Sequence, residues 1–208
     1  MRYGVGKPVK NLFSRLFKKP DKMIAMDVEL DGMHPSHIIQ LSYLVIEGRR
    51  IRGKNFYFPA RTINRYARKV HGLSVGMLKD LSQGKGFEHH MDEIYRDFAD
   101  CKLIIGHDVA GDVRYLRREF DRIGVKLPNY PIFCTLKHYT EEAHIPLKSN
   151  PRVLKPPRLE ELCNHFGLTR EFIAGRCQKW YGGGDHYHDA RFDAAAAYLC
   201  MVVGERMG

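Results

Sequence analysis

Strand-like apolar runs crowd the first third of this chain, and helical stripes alternating with two more such runs follow. That order predicts an α/β fold, a five-stranded mixed sheet flanked by helices. Residues 23–28 read as a buried strand, residues 38–46 as a second and residues 51–58 as a third. Arg49, Arg50 and Gly53 mark a tight connection, so the last two form an antiparallel hairpin. Helical patterns follow over 62–69 and 89–100, then a short buried strand over 103–106. Val109, Val113, Leu116 and Phe120 recur at helical spacing, and residues 131–135 make the fifth strand. Pro146, Pro151, Pro156 and Pro157 assign 144–158 to a surface loop. A helix over 158–166 stops at Gly167, Gly182-Gly183-Gly184 is a flexible turn, and an alanine-rich helix runs over 190–203.

The 208 residues divide into a basic, amphipathic arm over 1–22 and one domain over 23–208. The arm carries seven cations before or beside its first acid, Asp21, with Val9, Leu12, Phe13, Leu16 and Phe17 at helical spacing. It suits nucleic acid, a membrane surface or a protein partner, and a solvated arm fits equally well. The formal net charge of +10 favours an anionic partner, nucleic acid first. Five cysteines, spread widely and without a C-x-x-C pair, read as reduced thiols in a reducing compartment. No run reaches the roughly 20 apolar residues that span a bilayer, and the N-terminus lacks the apolar core of a secretory signal. The expected compartment is the cytoplasm, with mitochondrial targeting by the basic arm as the alternative.

Acids placed beside core-like runs carry the chemistry. Asp27-Val28-Glu29 sends two carboxylates to one face of an extended strand. Such a pair raises its own pKa values unless a cation intervenes, though a strand ending in solvated acids looks the same. Asp112 falls in the first turn of the helix after the fourth strand, where the helix dipole also favours an acid. His107 and Asp108, just before it, either cap that helix or reach a ligand. Asp193 stands on an otherwise apolar helix and is harder to explain by solvation, with His188 in the turn before it and Asp189 placed as an N-cap. In a basic chain the simplest partner for buried acids is a pair of Mg²⁺ or Mn²⁺ ions, hard cations that take oxygen ligands. Asp27, Glu29, Asp112 and Asp193 would hold them, with Asp27 bridging. A neutral His188 would accept the proton of the attacking water in phosphodiester hydrolysis. Zinc suits the set less well, because His186 and His188 have no obvious Cys or His companion.

These clusters resemble the three motifs of the DEDDh family of 3′–5′ exonucleases. Asp27-x-Glu29 is similar to the first motif, Gly106-His107-Asp108-x-x-x-Asp112 to the second and His188-x-Ala190-x-x-Asp193 to the third. Val70-His71-Gly72-Leu73-Ser74 is similar to the family segment that approaches the terminal nucleotide, and Leu159-Glu160-Glu161-Leu162-Cys163 to the helix after the fifth strand. The resemblance implies a ribonuclease H-like fold, two divalent metals and stepwise release of nucleoside 5′-monophosphates from the 3′ end of DNA or RNA. It implies single-stranded ends as substrate, with Leu30, His71, His107 and Asp108 at the substrate and a polymerase as a further partner. Two departures stand out. Leu30 replaces a common Thr, and Asp108 and Gly111 replace the usual Asn and Phe, which removes a stacking surface for the terminal bases. The competing reading is a catalytically weak module that binds nucleic-acid ends or docks on a polymerase.

Overall fold

The computed structural model describes residues 21–207. The reading of residues 1–20 as a helical arm lies outside the described residues. A five-stranded sheet in the order β3-β2-β1-β4-β5 forms the centre. Strands β1 (Met23–Leu30), β2 (Ile38–Glu47) and β3 (Arg50–Tyr57) are antiparallel neighbours, while β4 (Leu103–Gly106) and β5 (Ile132–Cys134) continue parallel to β1. The sheet is therefore mixed, as the sequence predicts. Its parallel half points the carboxyl ends of β1 and β4 to one edge, where ligand crevices form in sheets of this kind.

Alternation along β1 splits the core in two. Ile24, Met26 and Val28 face α3 (Phe87–Ala99) and α4 (Ala110–Arg122), packing with Phe98, Leu116 and Phe120. Met23 and Ala25 face the other way, toward α7 (Leu159–His165), α8 (Arg170–Tyr181) and α9 (Ala190–Met207). Ala194 to Ala197 of α9 are buried, and their small side chains let the helix lie close on the sheet. Two further helices, α1 (Arg65–His71) and α2 (Val75–Ser82), follow β3; Ser74 caps α2 by accepting from the Met77 N–H at 3.2 Å. Short turns α5 (Thr135–His138) and α6 (Thr140–Ala143) follow β5.

Three elements depart from the sequence reading. Helices α2 and α8 arise where no helix is expected, because their buried faces are narrow: Leu78 and Ser82 in the first, Ile173 and Cys177 in the second. The proline-rich segment 144–158 is not a bare loop; it contains a two-stranded hairpin, β6 (Pro146–Leu147) and β7 (Asn150–Leu154), separate from the main sheet. The five cysteines are free thiols, four of them buried. No described helix is long and apolar enough to cross a membrane. Lys22, counted with the arm in the sequence, is buried and tied to the domain through Asp100 at 2.5 Å and the Arg96 carbonyl at 3.3 Å.

Candidate active site

Asp27 and Glu29 extend the Met23–Ala25 row, so both point to the α9 side of the sheet at the carboxyl end of β1. Asp112 enters from the first turn of α4, and Asp193 from the first turn of α9. One ligand atom each from Glu29, His188 and Asp193 lies within 4.8 Å of the other two. The geometry thus groups His188 with two of the acids, whereas the sequence reading reserved it for proton transfer. Asp27 and Asp112 lie outside that triplet but inside the same charge cluster. Burial pushes the Asp27 carboxyl well above its ordinary range, and Asp112, Asp193, Glu29 and Asp189 push it further. Glu29 is raised to about 9 by burial and then by Asp193 and Asp112. Asp112 is raised to about 8 by burial, Asp108 and Asp193. Asp193 is raised to about 7, chiefly by burial, against the lowering effect of the His188 N–H.

Among the described residues these four carboxylates form no ion pair, and Asp193 Oδ1 is buried with no hydrogen-bond partner. Its Oδ2 accepts the His188 backbone N–H at 3.0 Å, which closes the turn that carries the imidazole at a φ of 66°. Buried acids that repel one another, with an orphaned oxygen among them, are a donor set fitted to hard divalent cations.

Asp189 is the instructive contrast. Burial raises its carboxyl, but the hydrogen bonds and charge of Arg191 more than offset that and hold it below the ordinary range. Arg191 Nη2 donates to Asp189 Oδ2 at 2.5 Å and Nε to Oδ1 at 2.9 Å, while the Arg191 backbone N–H donates to Oδ1 at 3.0 Å, the N-cap bond. Gly184, at a φ of 93°, leaves no room for a side chain, since a Cβ there would sit 2.8 Å from Arg191 Cβ. The glycine turn is therefore packed on Arg191, not loose as its composition suggests. Gln40 Nε2 donates to Asp189 Oδ1 at 3.1 Å and to Asn55 Oδ1 at 3.0 Å, and Ser42 Oγ donates to the same Asn55 oxygen at 2.5 Å. Sequence reasoning passed over Gln40, Ser42, Asn55 and Arg191. A signal existed for the first two: they are polar positions two apart in an apolar strand, and they pair with Glu29 and Asp27 in register.

Of the remaining predicted residues, His107 lines the cavity over the cluster, while Leu30, His71 and Asp108 lie outside its lining. Leu30 follows a bulge at the end of β1. His71 is buried; its Nδ1 accepts the Leu73 N–H at 3.0 Å, and its Nε2 lies beside the Leu30 backbone without a hydrogen bond of normal geometry. Burial holds the His71 imidazole below its usual range, and nearby His188 adds to that. His107 has both ring nitrogens engaged, Nδ1 with Thr135 Oγ1 at 2.9 Å and Nε2 with the Pro157 carbonyl at 3.0 Å. A carbonyl can only accept, so the proton is on Nε2 and the imidazole ties the 144–158 segment to the strand ends. Asp108 is exposed at a φ of 61°. A cavity of about 400 Å³ opens over the cluster, lined by Asp27, His107, Pro157, Arg158, His188 and Asp193 among others.

Fold and site together define a class: a ribonuclease H-like α/β domain with an acidic cluster at the carboxyl edge of its parallel strands. No family model matches the chain. It is 27% identical over 125 residues to the DNA polymerase III subunit epsilon of Buchnera aphidicola subsp. Schizaphis graminum, covering 55% of this chain and 52% of that protein. Against the epsilon subunit of Buchnera aphidicola subsp. Baizongia pistaciae it is 24% identical over 162 residues, 73% of this chain and 62% of that one. Its fold is similar to part of E. coli exonuclease I, solved with a dT13 oligonucleotide: TM-score 0.67, 16% identity, 90% of this chain and 40% of that one. The chain thus spans roughly half the length of the relatives it matches. It resembles the DEDDh-type 3′–5′ exonucleases in sequence and in fold.

Proposed function

We propose that this chain is a 3′–5′ exonuclease that hydrolyses phosphodiester bonds at the 3′ ends of DNA or RNA, releasing nucleoside 5′-monophosphates. The observation that carries the proposal is the charge cluster of Asp27, Glu29, Asp112 and Asp193, from three separate elements, with His188 beside Glu29 and Asp193 and no ion pair to any of the four acids among the described residues. The likeness to exonuclease I and to the epsilon subunits supports it. The four acids would hold two Mg²⁺ or Mn²⁺ ions. The chemistry such ions supply is a water ionised near neutral pH and compensation of charge on the departing oxygen. His188, at the mouth of the cavity, takes a proton at its ring nitrogen; the Asp193 carboxylate fixes that turn through the His188 N–H. Leu30, His71, His107 and Asp108 are the residues proposed to contact the terminal nucleotide. Residues 23–208 form the catalytic domain and residues 1–22 an arm for nucleic acid, a membrane surface or a partner; the cytoplasm is the proposed compartment.

The test uses 5′-labelled DNA and RNA oligomers with free or blocked 3′ termini, with Mg²⁺ and with EDTA. Free ends shorten stepwise, blocked ends persist, and Asp193→Ala abolishes the ladder. Equal ladders from the wild type and the variant would refute the site. The epsilon name favours a second reading, a weakly catalytic end-binding or polymerase-associated module. Tight binding of 3′ ends without Mg²⁺-dependent shortening would select it.

A further inference from the structure

The segment 144–158 carries Lys148, Arg152, Lys155 and Arg158 and no acid, in contrast to the carboxylates beneath it. Its far end, Pro156 to Arg158, forms one wall of the cavity that also holds Asp27, His188 and Asp193. His107 anchors that wall through the Pro157 carbonyl. Lys155 and Arg158 are spoken for, because both pair with Glu161. Lys148 and Arg152 are exposed and make no ion pair among the described residues. They sit on the β6–β7 hairpin, which pairs with no other strand and exposes Leu147 and Val153 beside them.

We propose that this hairpin is the strand guide of the site, gripping the sugar–phosphate backbone of the nucleic acid whose 3′ end lies among the acids. The inference rests on the nuclease reading of that cluster. Its physical basis is charge complementarity. A polyanion cannot approach clustered carboxylates cheaply, and two unpaired cations next to the entrance offset that repulsion while releasing counterions from the strand. Reach sets the register. Arg152 is five residues from Pro157, at most about 16 Å in extended chain at roughly 3.3 Å per residue. At the stacked rise of about 3.4 Å, that corresponds to about five nucleotides from the terminus. Leu147 and Val153 supply apolar surface for sugars and base faces at the same level.

The experiment reads binding and hydrolysis separately on the full chain. Binding is measured by anisotropy of labelled dT20 and rU20 in an Asp193→Asn background, for the intact hairpin, Lys148→Glu/Arg152→Glu and Lys148→Arg/Arg152→Lys. Charge reversal is expected to weaken binding about tenfold at low salt and to lower the slope of log affinity on log salt by about 1.4, two phosphates at about 0.7 each for a single strand. The charge-conserving variant keeps the wild-type values. Hydrolysis of the p-nitrophenyl ester of thymidine 5′-monophosphate, too small to reach the hairpin, stays the same in the charge-reversed enzyme, while KM for 20-mers rises and that for trimers does not. Unchanged oligomer affinity and salt slope on charge reversal would overturn the hairpin's role and leave a protein partner as its occupant. Failure of the wild type to hydrolyse either ester or oligomer would instead count against the nuclease reading, with the binding arm still deciding the hairpin.

Discussion

At the scale of single residues, five carboxylates share one neighbourhood and, among the described residues, only Asp189 has its own cation. The rest keep their protons in the metal-free fold well past the pH at which an unfolded carboxyl, near 4, releases its own. Between about pH 4 and 9 these four groups therefore bind more protons in the folded chain than in the unfolded one, and their contribution to stability falls as pH rises. The contribution is complete below pH 4 and is lost as pH passes the values of about 7, 8 and 9 at Asp193, Asp112 and Glu29. Melting in EDTA is expected to show a Tm that declines from pH 5 to pH 9, flattened in Glu29→Gln. At pH 8 that variant melts several degrees higher than the wild type, about 2–4 °C for each kcal/mol of repulsion removed. It also loses activity on the order of a thousandfold, the toll of losing a group that holds charge in the transition state. A lower Tm in Glu29→Gln at pH 8 would contradict the repulsion argument.

At the scale of elements, the turn between α8 and α9 decides where His188 stands. Arg191 binds Asp189 from within the first turn of α9 and fills the space that Gly183 and Gly184 leave open. Arg191→Ala is expected to release that turn, lowering kcat about tenfold or more with little change in KM for short substrates, because it acts on orientation and not on substrate contact. Arg191→Lys restores part of kcat, and equal kcat in Ala and wild type would show that the turn holds without the latch. Gly184→Ala meets both a positive φ and the Arg191 side chain, so a loss of about 1–3 kcal/mol is expected in chemical denaturation. The α9 helix explains why Asp193 reaches its partners. Its alanines bring the backbone close to β1, β2 and β4, and a larger residue at Ala194 or Ala197 would lift the acid away from them.

At the scale of the whole molecule, the sheet carries a separate core on each face, and the acids sit at the carboxyl end of β1 and in the first turns of α4 and α9. On the proposed function, ions that neutralise the cluster would bind the folded chain and not the unfolded one. Mg²⁺ or Mn²⁺ is therefore expected to raise Tm with concentration, by about 2.7 kcal/mol of stability at a hundred times the dissociation constant. The shift vanishes in Asp27→Asn/Asp193→Asn. A shift of equal size in that double variant, followed by scanning calorimetry, would place the ions elsewhere. On the proposed function, the basic charge of the chain as a whole would work at longer range, drawing a polyanion toward the hairpin and the acids behind it, with an effect that fades with salt.

Much of this was legible in the chain itself. The apolar runs of β1 and β2, the stripe of α4 and the alanines of α9 dictate the α/β layering, because strand and helix patterns are local properties. The spacing of Asp27 and Glu29 fixes that they share a face, and Asp193 stands out because an apolar helix gives an acid no local reason to be there. What only the tertiary structure decided is which distant groups meet. The pairing of Asp189 with Arg191 and Gln40, the engagement of both nitrogens of His107, and the hairpin within a proline-rich stretch depend on strand register and on elements up to 150 residues apart. No local pattern encodes such contacts. They exist because a one-residue change in register would turn every side chain of a strand to the opposite face, so the packed core, and not the sequence window, selects them.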